Sequence, residues 1–373
     1  MREGRGGSAL TMASGAIPGR PSKAAASGQF LLALTIGVCG GGVFAWLHLP
    51  LAWMLGSMLA CTVAATLGAP IAAPGWSRPP LTVVIGLMLG ASFTPNTLHN
   101  VTQWLPTVSG LVVYLVAGGV FCVLYLRWVA RYDPITAFYS GMPGGLTDMV
   151  IMGEQSGGDV RIIALTHSCR VLLVVSALPL LFAVFGHISL PPRPVASWIV
   201  NWSASGLGWA AASAIVGIAG AHLLRLPTKY LFGPMAASAV VHATGLSEFT
   251  PPQLLLNIAQ VGLGVVIGCR FRGARLGLFL PVLLHSAVVS AILLSITVSF
   301  ATLFSRYLGT SFLQVVLAYS PGGLTEMSLI AVSLQLDVAF VAAHHLLRIF
   351  LVVIAAQFLG LTLFSRKSRD GPN

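Results

Sequence analysis

The chain has 373 residues, of which 56% are hydrophobic and only 8% are charged, and its mean hydropathy is +0.89. A soluble domain carries about 25% charged residues, so this composition excludes an ordinary soluble protein and indicates a polytopic membrane protein that contacts the lipid bilayer. The formal net charge is +11, but the basic residues are scattered over predicted loops, as expected where cytoplasmic loops are rich in Lys and Arg. We therefore expect no nucleic-acid partner.

The first 28 residues form a predicted disordered cytoplasmic tail, because they are rich in Gly, Ser and Ala and contain no apolar stretch long enough for a signal peptide. Apolar runs then follow, five in each half of the chain. In the first half they lie near residues 30–47, 51–69, 80–95, 105–126 and 162–185, and in the second half near 206–224, 231–247, 254–269, 278–304 and 339–364. The five cysteines form no CxxC pair, so we expect them to be packing residues.

A Gly-rich tract precedes the last apolar run of each half, with PGGLTDM at 143–149 and PGGLTEM at 321–327. Proline suits the first turn of a new helix, and paired glycines let the backbone unwind close to a ligand. The new helix begins with free N–H groups and a partial positive charge, which favour an anion. The tracts at 134–155 and 312–333 are each long enough to cross a membrane as one broken helix. Each could equally form a re-entrant hairpin. The alternative without a binding role is a plain helix kink or a tight contact between helices.

Charged and polar side chains recur with these tracts. Asp159, His167 and Arg170 share a helical stripe about 80° wide, and they recur as Asp337, His345 and Arg348. Each Arg could bind an anionic substrate or pair with a carboxylate or with helix-end carbonyls, and each His could relay protons or bond between helices. Charges and broken backbone are tolerated in a membrane where they line a cavity or are buried in protein. The predicted substrate- and ion-binding residues are Pro143, Gly144, Gly145, Thr147, Asp148, Asp159, His167, Arg170, Pro321, Gly322, Gly323, Thr325, Glu326, Asp337, His345 and Arg348.

An internal duplication explains this recurrence. Without gaps, residues 143–175 and 321–353 share fourteen identities in 33 positions. Upstream, Gly86 and Gly90 align with Gly264 and Gly268. The predicted organisation is a first membrane repeat at 29–187, a linker at 188–204, a second membrane repeat at 205–364 and a cytoplasmic tail at 365–373.

The distribution of basic residues predicts the topology. With the N-terminus inside and five crossings in each half, sixteen of the 20 Lys and Arg residues lie inside, and Arg193 and Arg306 lie outside. An odd number of crossings inverts the second repeat relative to the first. We therefore predict an all-α polytopic membrane protein with two inverted-topology repeats of about five transmembrane helices each, plus a Gly-broken helix or re-entrant hairpin. Both termini are then cytoplasmic, and residues 187–204 and 304–311 face outside.

Broken helices from two inverted repeats that meet near the midplane are typical of secondary transporters. We predict an ion-coupled carrier or exporter of a small metabolite in the bacterial inner membrane, with an anion favoured if the arginines contact the substrate. The coupling ion would be Na⁺ or H⁺, no cofactor is expected, and a homo-oligomer is compatible with the sequence. A membrane sensor is the rival reading. The histidine spacing fits no metal site, and the sequence contains no nucleophile–base motif or phosphate loop, so we expect no enzyme.

The doubled PGGLT[DE]M motif, followed each time by D-x7-H-x2-R, resembles the bacterial AbrB-type (AbrB-duplication) integral membrane family, which is also labelled ammonia monooxygenase. The resemblance covers residues 30–364. It implies an integral membrane protein with a duplicated domain that affects the regulation of gene expression.

Overall fold

The structure, a computed structural model, describes residues 23–49, 51–95, 101–185, 204–226, 228–274 and 276–364. Within these ranges it is helical, with fourteen α-helices and no strand. The predicted N-terminal tail up to residue 22, the C-terminal tail at 365–373 and the linker up to residue 203 lie outside the described residues.

The helices follow the predicted apolar runs in order. In the first half they are α1 (Lys23–Trp46), α2 (Ala52–Thr66), α3 (Arg78–Gly90), α4 (Leu105–Trp128), α5 (Pro134–Gly141), α6 (Leu146–Gln155) and α7 (Val160–Phe185). In the second half they are α8 (Ala204–Leu223), α9 (Lys229–Ala243), α10 (Gln253–Gly268), α11 (Leu276–Leu308), α12 (Phe312–Tyr319), α13 (Leu324–Ser333) and α14 (Val338–Phe364). Each apolar run therefore contains one helix, and each Gly-rich tract forms two short ones.

Seven helices in the described part of the chain are long and apolar enough to cross a membrane, namely α1, α4, α7, α8, α10, α11 and α14. On α4, Val112, Val116 and Val120 are exposed in successive turns on one face. A continuous apolar face of this kind is expected to contact lipid. The helices α2, α3 and α9 have 15, 13 and 15 residues, fewer than the ~20 that usually span a bilayer.

Pairs of glycines bring neighbouring helices of each half into backbone contact. A Cβ added to Gly40 of α1 would meet the carbonyl oxygen of Gly56 in α2, and one added to Gly56 would meet that of Gly40. Gly217 of α8 and Gly233 of α9 make the same reciprocal contact. Small residues at such positions allow membrane helices to pack closely.

The two halves are joined by a second set of glycine contacts. Helix α3 of the first half packs on α9 of the second, and α10 of the second half packs on α2 of the first. The aligned glycines lie at these two interfaces: Gly86 and Gly90 of α3 face the carbonyls of Leu231 and Met235, and Gly264 and Gly268 of α10 face those of Met54 and Met58. At each of these two interfaces, a helix of one half packs against a helix of the other half.

Candidate functional site

The first Gly-rich tract folds back on itself as a helical hairpin. The Tyr139 hydroxyl in α5 lies 3.0 Å from Ser156 Oγ at the end of α6. The Asp159 N–H, just before α7, donates to Thr136 Oγ1 near the start of α5 at 2.8 Å. The start of α5 and the end of α6 are therefore adjacent, so the two short helices run antiparallel with Pro143, Gly144 and Gly145 at the tip. Of the two forms left open by the sequence, this tract adopts the hairpin.

The second tract has the same relation to its neighbouring helix. Helix α12 packs against both α13 and α14. His345 Nε2 of α14 lies 2.9 Å from the Leu317 carbonyl oxygen, and His167 Nε2 of α7 lies 2.8 Å from the Tyr139 carbonyl oxygen. These two contacts occupy aligned positions of the two halves.

Each buried arginine holds one hairpin tip through backbone carbonyls. Arg170 donates from Nη1 to the Met142 carbonyl at 3.1 Å and from Nη2 to the Gly144 carbonyl at 3.2 Å. Arg348 donates in the same way to the carbonyls of Ser320 and Gly322. The two side chains are 3% and 5% exposed. Each arginine therefore bonds to two backbone carbonyls of its hairpin tip, while the Nε of each is buried without a partner among the described residues.

The two histidines of the motif act as hydrogen-bonding groups in this geometry. His167 Nδ1 accepts a hydrogen bond from Arg170 Nη2 at 3.0 Å, so its other nitrogen, Nε2, carries the hydrogen donated to the Tyr139 carbonyl. His345 makes the equivalent bond through Nε2, and its Nδ1 is buried without a partner among the described residues. Such bonds join the long helix to the first arm of each hairpin.

Both hairpin tips line one cavity of about 420 Å³. Twelve of the sixteen predicted residues line it, six from each half. Those that line it are Gly144, Gly145, Thr147, Asp148, His167, Arg170, Pro321, Gly322, Gly323, Thr325, Glu326 and Arg348. The fold therefore brings residues of the two repeated motifs, which lie 178 positions apart in the sequence, to one cavity.

The two carboxylates lie over the N-termini of their own short helices. Asp148 and Glu326 are each the third residue of their helix, and their carboxylate oxygens occupy the space that a Cβ on Gly145 or Gly323 would take. A negative charge is favoured there by the helix dipole. The environments differ, since Glu326 is 6% exposed and Asp148 is half-buried. The first tip is thus the more accessible of the two.

The doubled hairpin with its Arg and His contacts can be compared with known proteins. The family described as "Transition state regulatory protein AbrB" matches residues 53–363, which include both tracts and both buried arginines. This chain belongs to the AbrB family. It is 28% identical over 313 residues to the "Putative regulator AbrB" of Escherichia coli (strain K12), covering 83% of this chain and 89% of that protein. It is also 25% identical over 348 residues to the "Uncharacterized protein YhjN" of Bacillus subtilis (strain 168), covering 86% of this chain and 89% of that protein.

The two aspartates of the predicted helical stripe, Asp159 and Asp337, lie at helix starts and do not line the cavity. Asp159 Oδ1 accepts from the N–H groups of Arg161 and Ile162 at 2.8 and 3.2 Å. Asp337 Oδ1 accepts from the Phe340 N–H at 3.0 Å. This is the geometry of helix N-caps. Pro143 and His345 are also absent from the cavity wall, so four of the predicted residues do not line the cavity.

Sequence reasoning missed five polar residues of the cavity wall, which are Arg78, Thr82, Thr228, Tyr230 and Arg270. Arg78 is the first residue of α3, and Arg270 lies in the 3-10 turn that follows α10. Neither belongs to the repeated motif, so the sequence alone suggests only that they are basic residues of cytoplasmic loops. Helices α3 and α10 each pack against a helix of the other half, and this packing brings Arg78 and Arg270 to the cavity. The sequence carries no direct signal of that packing.

The described residues contain no cluster of three or more His, Cys, Asp or Glu side chains that could hold a metal ion. The cavity wall presents guanidinium groups, two carboxylates, threonine hydroxyls and helix N-termini.

Proposed function

We propose that this AbrB-family protein is a secondary transporter, an ion-coupled carrier or exporter of a small metabolite in the bacterial inner membrane. The observation that carries the proposal is the convergence of two helical hairpins, one from each half, on one cavity within a bundle of membrane-length helices. Hairpins and broken helices at the centre of a membrane bundle are the usual site of substrate and coupling ions in such transporters.

The proposed topology has ten crossings in two inverted repeats, with α2, α3 and α9 as short crossings inside the bundle. The hairpins then enter from opposite sides. Arg170 lies ten residues after Val160, the start of α7, which is about 15 Å along a helix. Since the hydrocarbon core is about 30 Å thick, this depth supports a site near the midplane. The sixteen-to-two division of basic residues supports the orientation.

The charges of the wall favour an anionic substrate. Four guanidinium groups, those of Arg78, Arg170, Arg270 and Arg348, face two carboxylates, those of Asp148 and Glu326. Two helix N-termini add partial positive charge. A volume of about 420 Å³ falls in the range of small-molecule sites. A small metabolite with a carboxylate or phosphate group fits this site.

Asp148 and Glu326 are the proposed coupling groups. Each covers a helix N-terminus that would otherwise attract the substrate anion, so the charge of the carboxylate and the binding of the anion are linked. Neutralisation of the carboxylate by H⁺ or Na⁺ removes the competitor and favours the anion. Transport would need no catalytic step, no further cofactor and no nucleic acid, and a homo-oligomer is compatible with it.

The test is flux of labelled small anions into proteoliposomes that contain the purified full-length chain. We expect wild-type flux to depend on a Na⁺ or H⁺ gradient. The double variant Asp148→Asn and Glu326→Gln should keep a wild-type folded yield and lose that dependence, because both replacements preserve shape and remove charge. Ion-driven flux at the wild-type rate in the double variant would remove the coupling role. A collapsed yield would assign the two residues to structure.

The alternative function is a membrane sensor or regulator that binds the same ligand and signals to a partner. The specific support is the name of the Escherichia coli relative, a regulator. Saturable binding of an anion by the wild-type chain, with no flux across the whole panel, would favour the sensor over the carrier.

A further inference from the structure

Two arginines that the repeat does not predict line the same cavity, and neither has a partner among the described residues. Arg78 and Arg270 come from different halves and both line the cavity. Arg270 is within electrostatic range of Arg78, which repels it, and of Glu326, which attracts it. Both side chains are half-buried, and neither has a hydrogen bond or ion pair with another described residue.

Such a pair is unfavourable unless an anion lies between its members. Like charges repel, and the repulsion grows where protein replaces water. Each guanidinium carries five N–H donors in a planar fork, a geometry that matches carboxylate and phosphate oxygens. Glu326 is too distant from both arginines to form an ion pair, so the donors face the cavity unused.

The pair also breaks the two-fold pattern of the repeats. With the register that aligns Gly86 with Gly264, the position of Arg78 corresponds to Leu256 and that of Arg270 to Ser92. The guanidinium pair is therefore present at one end of the cavity and absent from the related position. Lys229 and Arg272 are close in sequence to cavity residues Tyr230 and Arg270, and the distribution of basic residues assigns them to the cytoplasm.

We propose that Arg78 and Arg270 form an anion-binding subsite at the cytoplasmic mouth of the cavity, which takes a carboxylate or phosphate group of a soluble metabolite. This subsite is distinct from the hairpin tips, where Arg170 and Arg348 are already engaged by carbonyls. The identification of the ligand as the transported substrate rests on the proposed function, whereas anion binding itself does not.

The experiment measures binding without transport. Thermal unfolding of the detergent-purified full-length chain is followed by intrinsic tryptophan fluorescence, at constant ionic strength, with increasing inorganic phosphate, succinate or acetate and with choline as the cationic control. The variants are Arg78→Gln and Arg270→Gln. The matched control is Arg272→Gln, since Arg272 lies two residues from Arg270, is exposed, bonds to Gln29 at 3.0 Å and does not line the cavity.

We expect phosphate or a carboxylate to raise the melting temperature of the wild type and of Arg272→Gln. Each cavity variant should bind that anion about tenfold more weakly, as for the loss of one charge-assisted contact. Without the anion, each cavity variant should be at least as stable as the wild type, because the substitution relieves repulsion. A structural role predicts the opposite sign, so lower stability without the anion, or anion affinity equal to that of wild type, overturns the proposal.

Two further measurements separate the sources of failure. In nanodiscs, replacing neutral phosphatidylcholine by phosphatidylglycerol should leave the effect of the soluble anion in place, and its complete suppression would assign the pair to a lipid phosphate instead. In proteoliposomes, anion flux with an unchanged KM in Arg78→Gln, together with anion affinity equal to that of the wild type, would refute this subsite while leaving transport standing. Anion binding through the pair without any flux would do the reverse.

Discussion

The contacts of Arg170 and Arg348 predict that each arginine stabilises its own hairpin tip and leaves the other unaffected. The perturbations are Arg170→Gln and Arg348→Gln, which shorten the side chain and remove its charge. In the first variant, the carbonyls of Met142 and Gly144 lose their donors; in the second, those of Ser320 and Gly322 do. The two tips therefore serve as controls for each other within one chain.

The magnitude follows from the buried state of these bonds. A hydrogen bond to a charged group contributes about 1.5–3 kcal/mol, and each carbonyl left without a donor costs about 1–3 kcal/mol. Part of this is recovered, because the cavity beside Arg170 can admit water to the freed carbonyls and because the desolvation cost of the guanidinium disappears. We expect a net loss of about 2 kcal/mol of local stability, which corresponds to a roughly thirtyfold larger population of the locally open state.

The assay is amide hydrogen exchange of the detergent-purified protein, read by mass spectrometry on peptides covering 142–149 and 320–327. Arg170→Gln should accelerate exchange in the first peptide and not in the second, and Arg348→Gln should do the reverse. The control is Arg127→Gln, because Arg127 also donates to a carbonyl, that of Tyr132 at 2.9 Å, but at an exposed position. Unchanged exchange in both tip peptides would refute the stabilising role of the arginines.

Three further predictions test the topology, the packing and the caps. Reporter fusions placed after Phe185 and after Arg275 should report opposite sides of the membrane, and a common side would remove the inverted arrangement. In α1, Gly40→Ala should lower the apparent melting temperature and Gly42→Ala should not, because a Cβ at residue 40 meets backbone while nothing lies within 4 Å of one at residue 42; both gain about 1 kcal/mol of helix propensity, so equal melting temperatures would contradict the close α1–α2 contact. Asp159→Ala should cost about 1 kcal/mol as a lost cap while leaving flux in proteoliposomes unchanged, and abolished flux at full yield would make Asp159 a ligand instead.

Much of the fold could be predicted because membrane composition and internal repetition are strong signals. Length and apolarity located every apolar run that becomes a helix, and the Pro-Gly-Gly sequence located the breaks at residues 143–145 and 321–323. The choice between a crossing helix and a hairpin could not be made from Pro and Gly alone, since both forms need the same break. It was decided by tertiary contacts such as that between Asp159 and Thr136.

Part of the wall of the candidate site could be predicted for the same reason. The repeated motif identified Arg170, Arg348, Asp148 and Glu326, all of which line the cavity. Spacing on one helix could not show that Asp159 lies at a helix start, where its carboxylate accepts hydrogen bonds from N–H groups of the first turn. Arg78 and Arg270 also line the cavity but lie outside the repeated motif, so an argument built on that motif gave no signal for them.

The same contacts limit how the cavity could change its accessibility. Arg170 and His167 tie the first hairpin to α7, and Arg348 and His345 tie the second to α14, so each hairpin and its long helix are expected to move together. Helices α2, α3, α9 and α10 form another group, because the glycine contacts of α3 with α9 and of α10 with α2 bring backbone against backbone. Such close contacts leave little room for these four helices to slide past one another. Movement is therefore expected where the hairpins and their long helices meet these four helices, at the contacts of α3 with α13 and α14 and of α2 with α7. Arg78 at the start of α3 and Arg270 just after α10 belong to this group of four helices. An anion bound between them would therefore be held by these helices and would lie next to the hairpin tips.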